Sequence, residues 1–407
     1  MSGYVLRGRV IDGICESSLD DGMVVIEGDR ICHVGPYDRS LISDDACVIE
    51  VKNGTVMPGF IDSHAHLCGF ESAGDLKEKA LFGDLLLGSA YEVGILLDAG
   101  FTGVRDMSRN GLYLSRAVEH GILRGPRIMP GGRVLGITSG HIDPGGVVVK
   151  EQANRTSSIA YLVDGVDECL YGVREQFREG AQFIKICATG GVSSPVDRID
   201  DVQFSFEEIN VMVEEATRHG TYVTAHCTSA TGAYQALKAG VRCIEHGVML
   251  DQKCIDIMAQ HDITLVSTLS VSLGVANIPD LPDYMAQKVR RCAEANIRTI
   301  EMARKAGIRI ALGTDYGNTP NSRYAENGRE FEAMTRAGMT PMEAIRAGTV
   351  NGAYLMNMAD KIGTLERGKL ADVVIVEGNP LEDINCLCHK DRVKVVFKNG
   401  VLEKHIA

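Results

Sequence analysis

The chain has 407 residues, of which 45% are hydrophobic and 24% are charged, and these proportions are typical of a soluble globular protein with one to three domains. Its formal net charge of −12 argues against nucleic acid and anionic membranes as partners, because both repel an acidic surface. No apolar run is long enough to span a bilayer and the N-terminus lacks the pattern of a secretory signal, so we expect a cytoplasmic protein.

Short β-rich runs, broken by glycine and aspartate turns, occur at both ends of the chain. They are residues 5–11, 22–26, 30–34, 372–376 and 393–397. The middle of the chain lacks such short β-rich runs broken by turns. We therefore predict a small β-sandwich domain assembled from residues 1–56 and 363–407. The twelve cysteines are scattered singly through apolar segments, and we expect them to be free thiols.

The central part, residues 57–362, alternates apolar strands with amphipathic helical patterns. Eight candidate strands are residues 59–66, 102–105, 127–130, 183–186, 222–226, 243–246, 264–267 and 309–313. Eight βα units over this length predict an α/β fold of the (β/α)8 TIM-barrel type. In such barrels the catalytic residues lie at the carboxyl ends of the strands.

The first candidate strand ends in two histidines, His64 and His66. With one residue between them, both side chains point to the same face of an extended chain. Two imidazoles placed in this way can bind a metal ion, or they can simply share a solvated strand end. The later strands help to choose between these interpretations.

Four further strands carry chemically active residue types near their carboxyl ends. Lys185 lies in the fourth strand, His226 and His246 end the fifth and sixth, and Asp315 follows the eighth. Each has an ordinary structural explanation when taken singly, such as a helix cap for Asp315. Together, in barrel order and at strand ends, they favour a single site.

Lys185 is the most discriminating of these residues, because an ammonium facing a barrel axis is costly to bury unless it is paired or loses its charge. It either forms a salt bridge inside the barrel or reacts with carbon dioxide to give a carbamate whose oxygens bridge two metal ions. We expect two divalent ions, zinc or a similar borderline metal. The predicted ligands are His64, His66, carboxylated Lys185, His226, His246 and Asp315.

Two metal ions held in this way lower the pKa of a shared water and make a bridging hydroxide available. Attack by that hydroxide hydrolyses an amide or an ester without a covalent enzyme intermediate. Asp315 is placed to accept the proton and to deliver it to the leaving group, which makes it a catalytic residue as well as a ligand.

These motifs resemble those of the amidohydrolase superfamily. The resemblance is carried by residues 58–66, by Lys185 and His226, and by residues 244–247 and 313–315. Residues 363–374 are similar to the segment that leads from the barrel back to the small β domain in that superfamily. Within it, the chain looks most like metallodipeptidases and carboxypeptidases related to Xaa-Pro dipeptidase. Its general sequence pattern also resembles that of imidazolonepropionase. Imidazolonepropionase lacks the bridging lysine, so Lys185 counts against that activity.

The resemblance also implies roles for residues outside the metal site. His141 matches a histidine that contacts the scissile carbonyl oxygen, so it is predicted to stabilise negative charge there. Prolidases carry a tyrosine two residues after the fifth-strand histidine to hold the substrate carboxylate, whereas this chain has Thr228, which puts Xaa-Pro specificity in doubt. Arg323 and Tyr316 are further candidates for substrate contact, although Arg323 is equally interpreted as a solvated charge.

The prediction is therefore a binuclear metal-dependent amidohydrolase that cleaves an amide bond of a dipeptide or an N-acyl amino acid. The alternatives are a lactonase, esterase or cyclic-amide hydrolase on the same metal centre, and a degenerate barrel that serves as a scaffold. The expected partners are a small-molecule substrate and further copies of the chain in a homo-oligomer.

Overall fold

The computed structural model describes residues 3–73, 81–145, 148–275, 278, 281–317 and 323–406. One of its sheets contains strands from both ends of the chain. These strands are β1 Tyr4–Val10, β2 Leu19–Glu27, β3 Arg30–Pro36, β4 Cys47–Pro58, β15 Val373–Glu377, β16 Val393–Lys398 and β17 Val401–His405. Their order is β17-β16-β15-β4-β1-β2-β3, so β4 joins the two ends of the chain.

The two faces of this terminal sheet have different partners. Along β15, Val373 and Ile375 point into a core that the sheet forms with its own strands, whereas Val374 and Val376 belong to the main core shared with the central part of the chain. This alternation follows from the two-residue period of a strand. The terminal sheet is therefore packed directly against the part that carries the candidate site.

The remaining strands are parallel and belong to two sheets. They are β5 Phe60–Ala65, β6 Phe101–Asp106, β7 Arg127–Pro130, β8 Val134–Gly136, β9 Ala160–Leu162, β10 Ile184–Cys187, β11 Val223–Cys227, β12 Cys243–His246, β13 Thr264–Val266 and β14 Ile310–Ala311. One sheet has the order β5-β6-β7 and the other has the order β14-β13-β12-β11-β10-β8-β9.

Backbone hydrogen bonds connect these two sheets on both sides. Ser63 N donates to Leu312 O at 2.8 Å, and Gln182 N donates to Pro130 O at 2.7 Å. Strands β5, β6, β7 and β10 to β14 thus follow one another around a TIM-barrel-like fold, and each coincides with one of the eight candidate strands. The pair β8 and β9 was not predicted from the sequence.

Helices cover the outside of the parallel strands. They are α1 Phe70–Ala73, α2 Phe82–Asp98, α3 Arg109–Glu119, α4 Lys150–Thr156, α5 Val166–Glu179, α6 Phe206–Arg218, α7 Ala230–Lys238, α8 Gln252–Gln260, α9 Leu269–Val275, α10 Asp283–Lys305, α11 Arg329–Arg336, α12 Pro341–Ala347 and α13 Val350–Leu355. Helix α6 illustrates why they form, since Ser205 and Glu208 make a capping box and Ile209, Met212 and Ala216 are buried on one face.

Two further features of the described residues concern the cysteines and the helices. All twelve cysteines lie in the described ranges and are free thiols, as predicted. Among the helices in the described ranges, none has the length and apolar character needed to cross a membrane.

Candidate metal centre

The side chains predicted as metal ligands meet at the carboxyl ends of the parallel strands. The ring centroids of His66 and His64 are 5.3 Å apart, those of His64 and His246 are 4.9 Å apart, and those of His246 and His226 are 4.5 Å apart. Asp315 Oδ1 lies 3.3 Å from His64 Nε2 and 3.0 Å from His66 Nε2. The structure therefore brings four imidazoles and one carboxylate into a single cluster.

The chain turns sharply at two of these positions. His246 has a φ of +67° and Asp315 has a φ of +58°, values that residues other than glycine rarely adopt. The turn at Asp315 is fixed by Asp62, which accepts hydrogen bonds from Thr314 Oγ1 at 2.7 Å and from His64 N at 3.1 Å. Such backbone conformations persist where surrounding contacts enforce them, which is typical of functional sites.

His64 is oriented by a buried network on its outer side. Its Nδ1 donates to Glu245 Oε2 at 2.7 Å, and Glu245 also accepts hydrogen bonds from Arg105 and Thr224. Burial alone would raise the pKa of Glu245, but Arg105 and His64 outweigh it and hold that pKa well below its usual range. An ionised Glu245 fixes the proton of His64 on Nδ1 and leaves Nε2 facing Asp315.

The other three histidines also have one ring nitrogen engaged. His66 Nδ1 lies 3.0 Å from Met107 O, His246 Nδ1 lies 2.7 Å from Thr268 Oγ1, and His226 Nε2 lies 3.2 Å from Gly190 O. In each ring this leaves the second nitrogen for a ligand. Burial lowers the pKa of His66, His226 and His246, which favours the neutral rings that metal ions require.

Asp315 is ionised in this cluster. Burial alone would raise its pKa, but the neighbouring His64 and His66 outweigh that effect and hold the pKa well below its usual range. A carboxylate with two imidazole nitrogens within 3.3 Å is a suitable donor for a divalent cation.

Lys185 is buried beneath this cluster, with 2% of its surface exposed. Its Nζ lies 3.4 Å from the sulfur of Met107, and no carboxylate of the described ranges lies within salt-bridge distance of it. The alternative of a salt bridge inside the barrel therefore finds no support among those residues. This buried lysine nitrogen has no anionic partner among those residues, and it is near enough to His66, His226 and His246 for its charge to lower their pKa values.

His141 belongs to the same row of rings. It stacks on His226 with a centroid distance of 4.5 Å and an interplanar angle of 25°. Its side chain is 13% exposed and lines a cavity that also reaches His226, His246 and Asp315. The structure thus places His141 where a substrate bound beside the cluster would meet it.

The cavity beside the cluster has a volume of about 110 Å³ and a mainly apolar wall. Helices α9 and α10 supply one side of it. The apolar lining residues are Val192, Val248, Val271, Val275, Met285, Val289 and Cys292. Apart from Asp315 and the histidines, no titratable charged side chain of the described ranges lines this cavity.

The three residues predicted to contact the substrate differ in position. Thr228 lines the cavity, but its hydroxyl lies 2.6 Å from both Gly190 O and Ile199 O and is therefore occupied within the protein. Tyr316 is buried, with 4% of its surface exposed, and burial raises the pKa of its phenol. Arg323 is exposed and does not line the cavity.

Several residues that shape the site were not singled out from the sequence. Glu245 directly precedes the candidate ligand His246 in the segment 244–247, so an acidic residue at this position could have been singled out from the sequence. Arg105 and Thr268 gave no such indication, because they lie far along the chain from the histidines that they support directly or through Glu245. The same holds for Asp197, which lies beside His141, and for Lys288, which contacts Asp197.

Comparison with known proteins is consistent with this geometry. The sequence model of the amidohydrolase family matches residues 55–402 of this chain. The ochratoxinase of Aspergillus niger is 34% identical over 369 residues, which cover 86% of this chain and 75% of that protein.

Two solved structures are similar over nearly their whole lengths. A prolidase complexed with N-methylphosphonate-L-proline has a TM-score of 0.90 and 33% identity, with 100% of both chains covered. A Xaa-Pro dipeptidase with methionine bound in its active site has a TM-score of 0.87 and 32% identity, with 98% of this chain and 99% of that chain covered. These similarities agree with the resemblance inferred from the sequence motifs.

Proposed function

Because the chain belongs to the amidohydrolase family, we propose that it is a hydrolase with two divalent metal ions that cleaves an amide bond of a dipeptide or an N-acyl amino acid. The observation that carries this proposal is the convergence of four imidazoles, Asp315 and the unpaired Lys185 at one end of the parallel strands. The prolidase and dipeptidase structures and the ochratoxinase sequence are consistent with amide hydrolysis.

The metal ions, for which imidazole-rich donors favour zinc, would be bound by these side chains with Lys185 carboxylated by carbon dioxide. When bound, they supply an activated water and polarise the scissile carbonyl group. Asp315, ionised beside His64 and His66, accepts the proton of the attacking water and returns it to the leaving nitrogen. His141 lines the same cavity beside His226 and contacts the carbonyl oxygen as negative charge develops.

The cavity wall narrows the class of substrate. Val271 and Val275 of α9 and Met285 and Val289 of α10 offer apolar contacts. Burial of an apolar group there is favourable by roughly 25 cal/mol per Å² of apolar surface. We therefore propose an amide whose group in this cavity is an apolar side chain or an apolar acyl chain.

A lactone, an ester or a cyclic amide is the second candidate substrate class, and the environment of Thr228 favours it. Its hydroxyl lies 2.6 Å from two backbone carbonyl oxygens, so its single proton is engaged within the protein and is not free for a substrate carboxylate. Substrates without a free carboxylate would not need that donor. Screening dipeptides, N-acyl amino acids and lactones with the zinc-loaded protein separates the two candidates, since turnover confined to lactones would contradict amide hydrolysis as the main activity.

The metal centre is tested by metal analysis of the wild-type protein and of Lys185→Ala. We expect about two metal ions per chain in the wild type, and a joint loss of metal and activity in the variant that a short carboxylic acid partly restores. The exposed Lys238→Ala is the matched control and should retain both. A wild-type protein without bound metal after supplementation with zinc and bicarbonate would exclude this function.

The proton transfer is tested by Asp315→Asn. An amide cannot accept the proton, so we expect a folded protein that has lost most of its turnover. Circular dichroism and metal analysis establish that the variant is folded and to what extent it is loaded. An unchanged kcat would show that Asp315 does not move the proton.

We further propose that the unit comprising residues 57–362 is a complete (β/α)8 barrel, and that residues 1–56 and 363–407 form the small β-sandwich domain. The hydrogen bonds from Ser63 to Leu312 and from Gln182 to Pro130 support a closed barrel. The pairing of β4 with β15 supports a domain built from both ends of the chain.

A further inference from the structure

Helix α10 carries two neighbouring rows of side chains beside the candidate metal centre. The first row has the spacing of one helix face, contacts the loop that follows β10, and consists of Tyr284, Lys288 and Arg291. The second row comes one position later along the helix, lines the cavity, and consists of Met285, Val289 and Cys292. One helix therefore contacts the loop and shapes the cavity.

Lys288 makes the best shielded contact of the first row. Its Nζ donates to Gly191 O at 2.8 Å and to Ser194 O at 2.7 Å, and it lies 3.0 Å from Asp197 Oδ1. An ammonium group has three N–H donors, so these three acceptors use all of them. The side chain of Lys288 is 13% exposed and that of Asp197 is 2% exposed, so this ion pair lies largely out of water.

The other two contacts of the first row are weaker. Tyr284 Oη lies 3.4 Å from Ser193 O at an exposed position. Arg291 pairs with Asp200 at 3.0 Å, but both side chains are exposed, and exposed ion pairs contribute little to stability. Among the described residues, Lys288 is therefore the main polar connection between α10 and the loop.

The segment that Lys288 contacts is itself part of the cavity wall. Gly191 and Ser194 flank Val192 and Ser193, and these two residues line the cavity. Because the carbonyl groups on both sides of them are bonded to Lys288, this part of the wall is held at a fixed distance from α10. The cavity between them has a volume of only about 110 Å³.

We propose that Lys288 is a specificity-determining residue that acts through position. It holds residues 191–194 against α10, keeps the cavity narrow and so limits the size of the apolar group that binds there. The limit arises because a packed wall that cannot move accommodates additional methylene groups only at a cost. The effect on turnover rests on the proposed function, whereas the connection between loop and helix depends only on the contacts described.

The connection is tested by hydrogen exchange of the full-length protein and of Lys288→Met, which removes the ammonium group. Gly191 N, which donates to Asp197 Oδ2 at 3.0 Å, reports on the loop. We expect the amides of residues 190–198 to exchange about tenfold faster in the variant, while those of α6 keep the wild-type rate. Unchanged exchange in the loop would overturn the proposal. If the methionine variant does not fold, Lys288→Gln gives the same decision.

The specificity is tested with the zinc-loaded protein and two series of amides. One series is N-acyl-leucines with acyl chains from acetyl to hexanoyl, and the other is dipeptides with C-terminal side chains from alanine to phenylalanine. In the series that the wild type cleaves, we expect Lys288→Met to raise KM for the best substrate by about tenfold with kcat nearly unchanged, because binding and not transition-state stabilisation is lost. The increase of KM with the size of the apolar group should be smaller in the variant. A fall in kcat with unchanged KM would place the effect at the reacting atoms and overturn the proposal.

The matched control is Arg291→Met, which removes a cation from the same face of α10 and a contact with the same loop, but an exposed one. It should leave loop exchange, KM and kcat at the wild-type level. Changes as large as those of Lys288→Met would show that the charge of α10, and not the shielded contact, is responsible. If the wild type cleaves no amide, the proposed function fails, while hydrogen exchange still decides whether Lys288 holds the loop.

Discussion

At the scale of single residues, Glu245 has the largest expected influence on the metal centre. It is fully buried and connects His64 to the guanidinium of Arg105. Glu245→Gln leaves that guanidinium without its negative partner, so we expect the free energy of unfolding to fall by about 3–5 kcal/mol. The basicity of His64 also decreases, and metal affinity should fall by about tenfold to a hundredfold. Urea denaturation of the metal-free protein and competition with a chelator measure the two effects separately.

The control for Glu245→Gln is Glu301→Gln, which removes an exposed carboxylate that pairs with Lys305 on α10. Neither stability nor metal affinity should change measurably in that variant. An unchanged metal affinity in Glu245→Gln itself would contradict the orienting role of Glu245 towards His64.

The residues that the sequence predicts differ from those that it does not in one physical respect. His64, His66, His226, His246 and Asp315 end or follow strands, and the carboxyl ends of parallel strands meet in space, so their convergence follows from the pattern of strands. The residues that orient them follow no such rule. Glu245 lies 181 positions from His64 and 140 from Arg105, and their contact depends on packing that no local pattern encodes.

At the scale of elements, the turn between β13 and α9 depends on a carboxylate from a distant helix. Glu330 of α11 accepts hydrogen bonds from Leu269 N at 2.8 Å and from Ser270 N at 2.6 Å at the start of α9. Thr268, in this turn, contacts His246 and has a φ of +45°. Glu330→Ala removes these acceptors, so we expect a loss of about 1–2 kcal/mol and weaker metal binding through His246.

Thermal unfolding and metal competition check this prediction. Arg336→Ala, at an exposed position of the same helix, is the control and should leave both quantities unchanged. If stability falls but metal binding stays intact, the turn between β13 and α9 keeps its conformation without Glu330.

The sequence predicts β13 from its apolar run. It does not predict that a side chain of α11 caps the start of α9, because propensities describe neighbours along the chain.

At the scale of the whole molecule, a buried ion pair joins the terminal sheet to the parallel strands. Arg127, at the start of β7, lies 2.6 Å from Asp372, whose side chain is 3% exposed and whose Oδ1 also accepts a hydrogen bond from Asn399 N at 2.9 Å. This contact lies at the amino end of β7, away from the metal centre. Its loss should therefore affect stability without changing the chemistry.

Arg127→Met tests this separation of stability from catalysis. It leaves the carboxylate of Asp372 buried without its cation, so we expect the free energy of unfolding to fall by about 2–3 kcal/mol, less than for a fully buried pair because Arg127 is 19% exposed. Adding Asp372→Asn removes the unpaired charge and should recover part of the loss, which denaturant titration of both variants measures. Metal content and kcat should stay at the wild-type level in both. If they fall together with stability, the terminal sheet supports the metal centre as well as the fold, and the two ends of the chain contribute to catalysis at a distance.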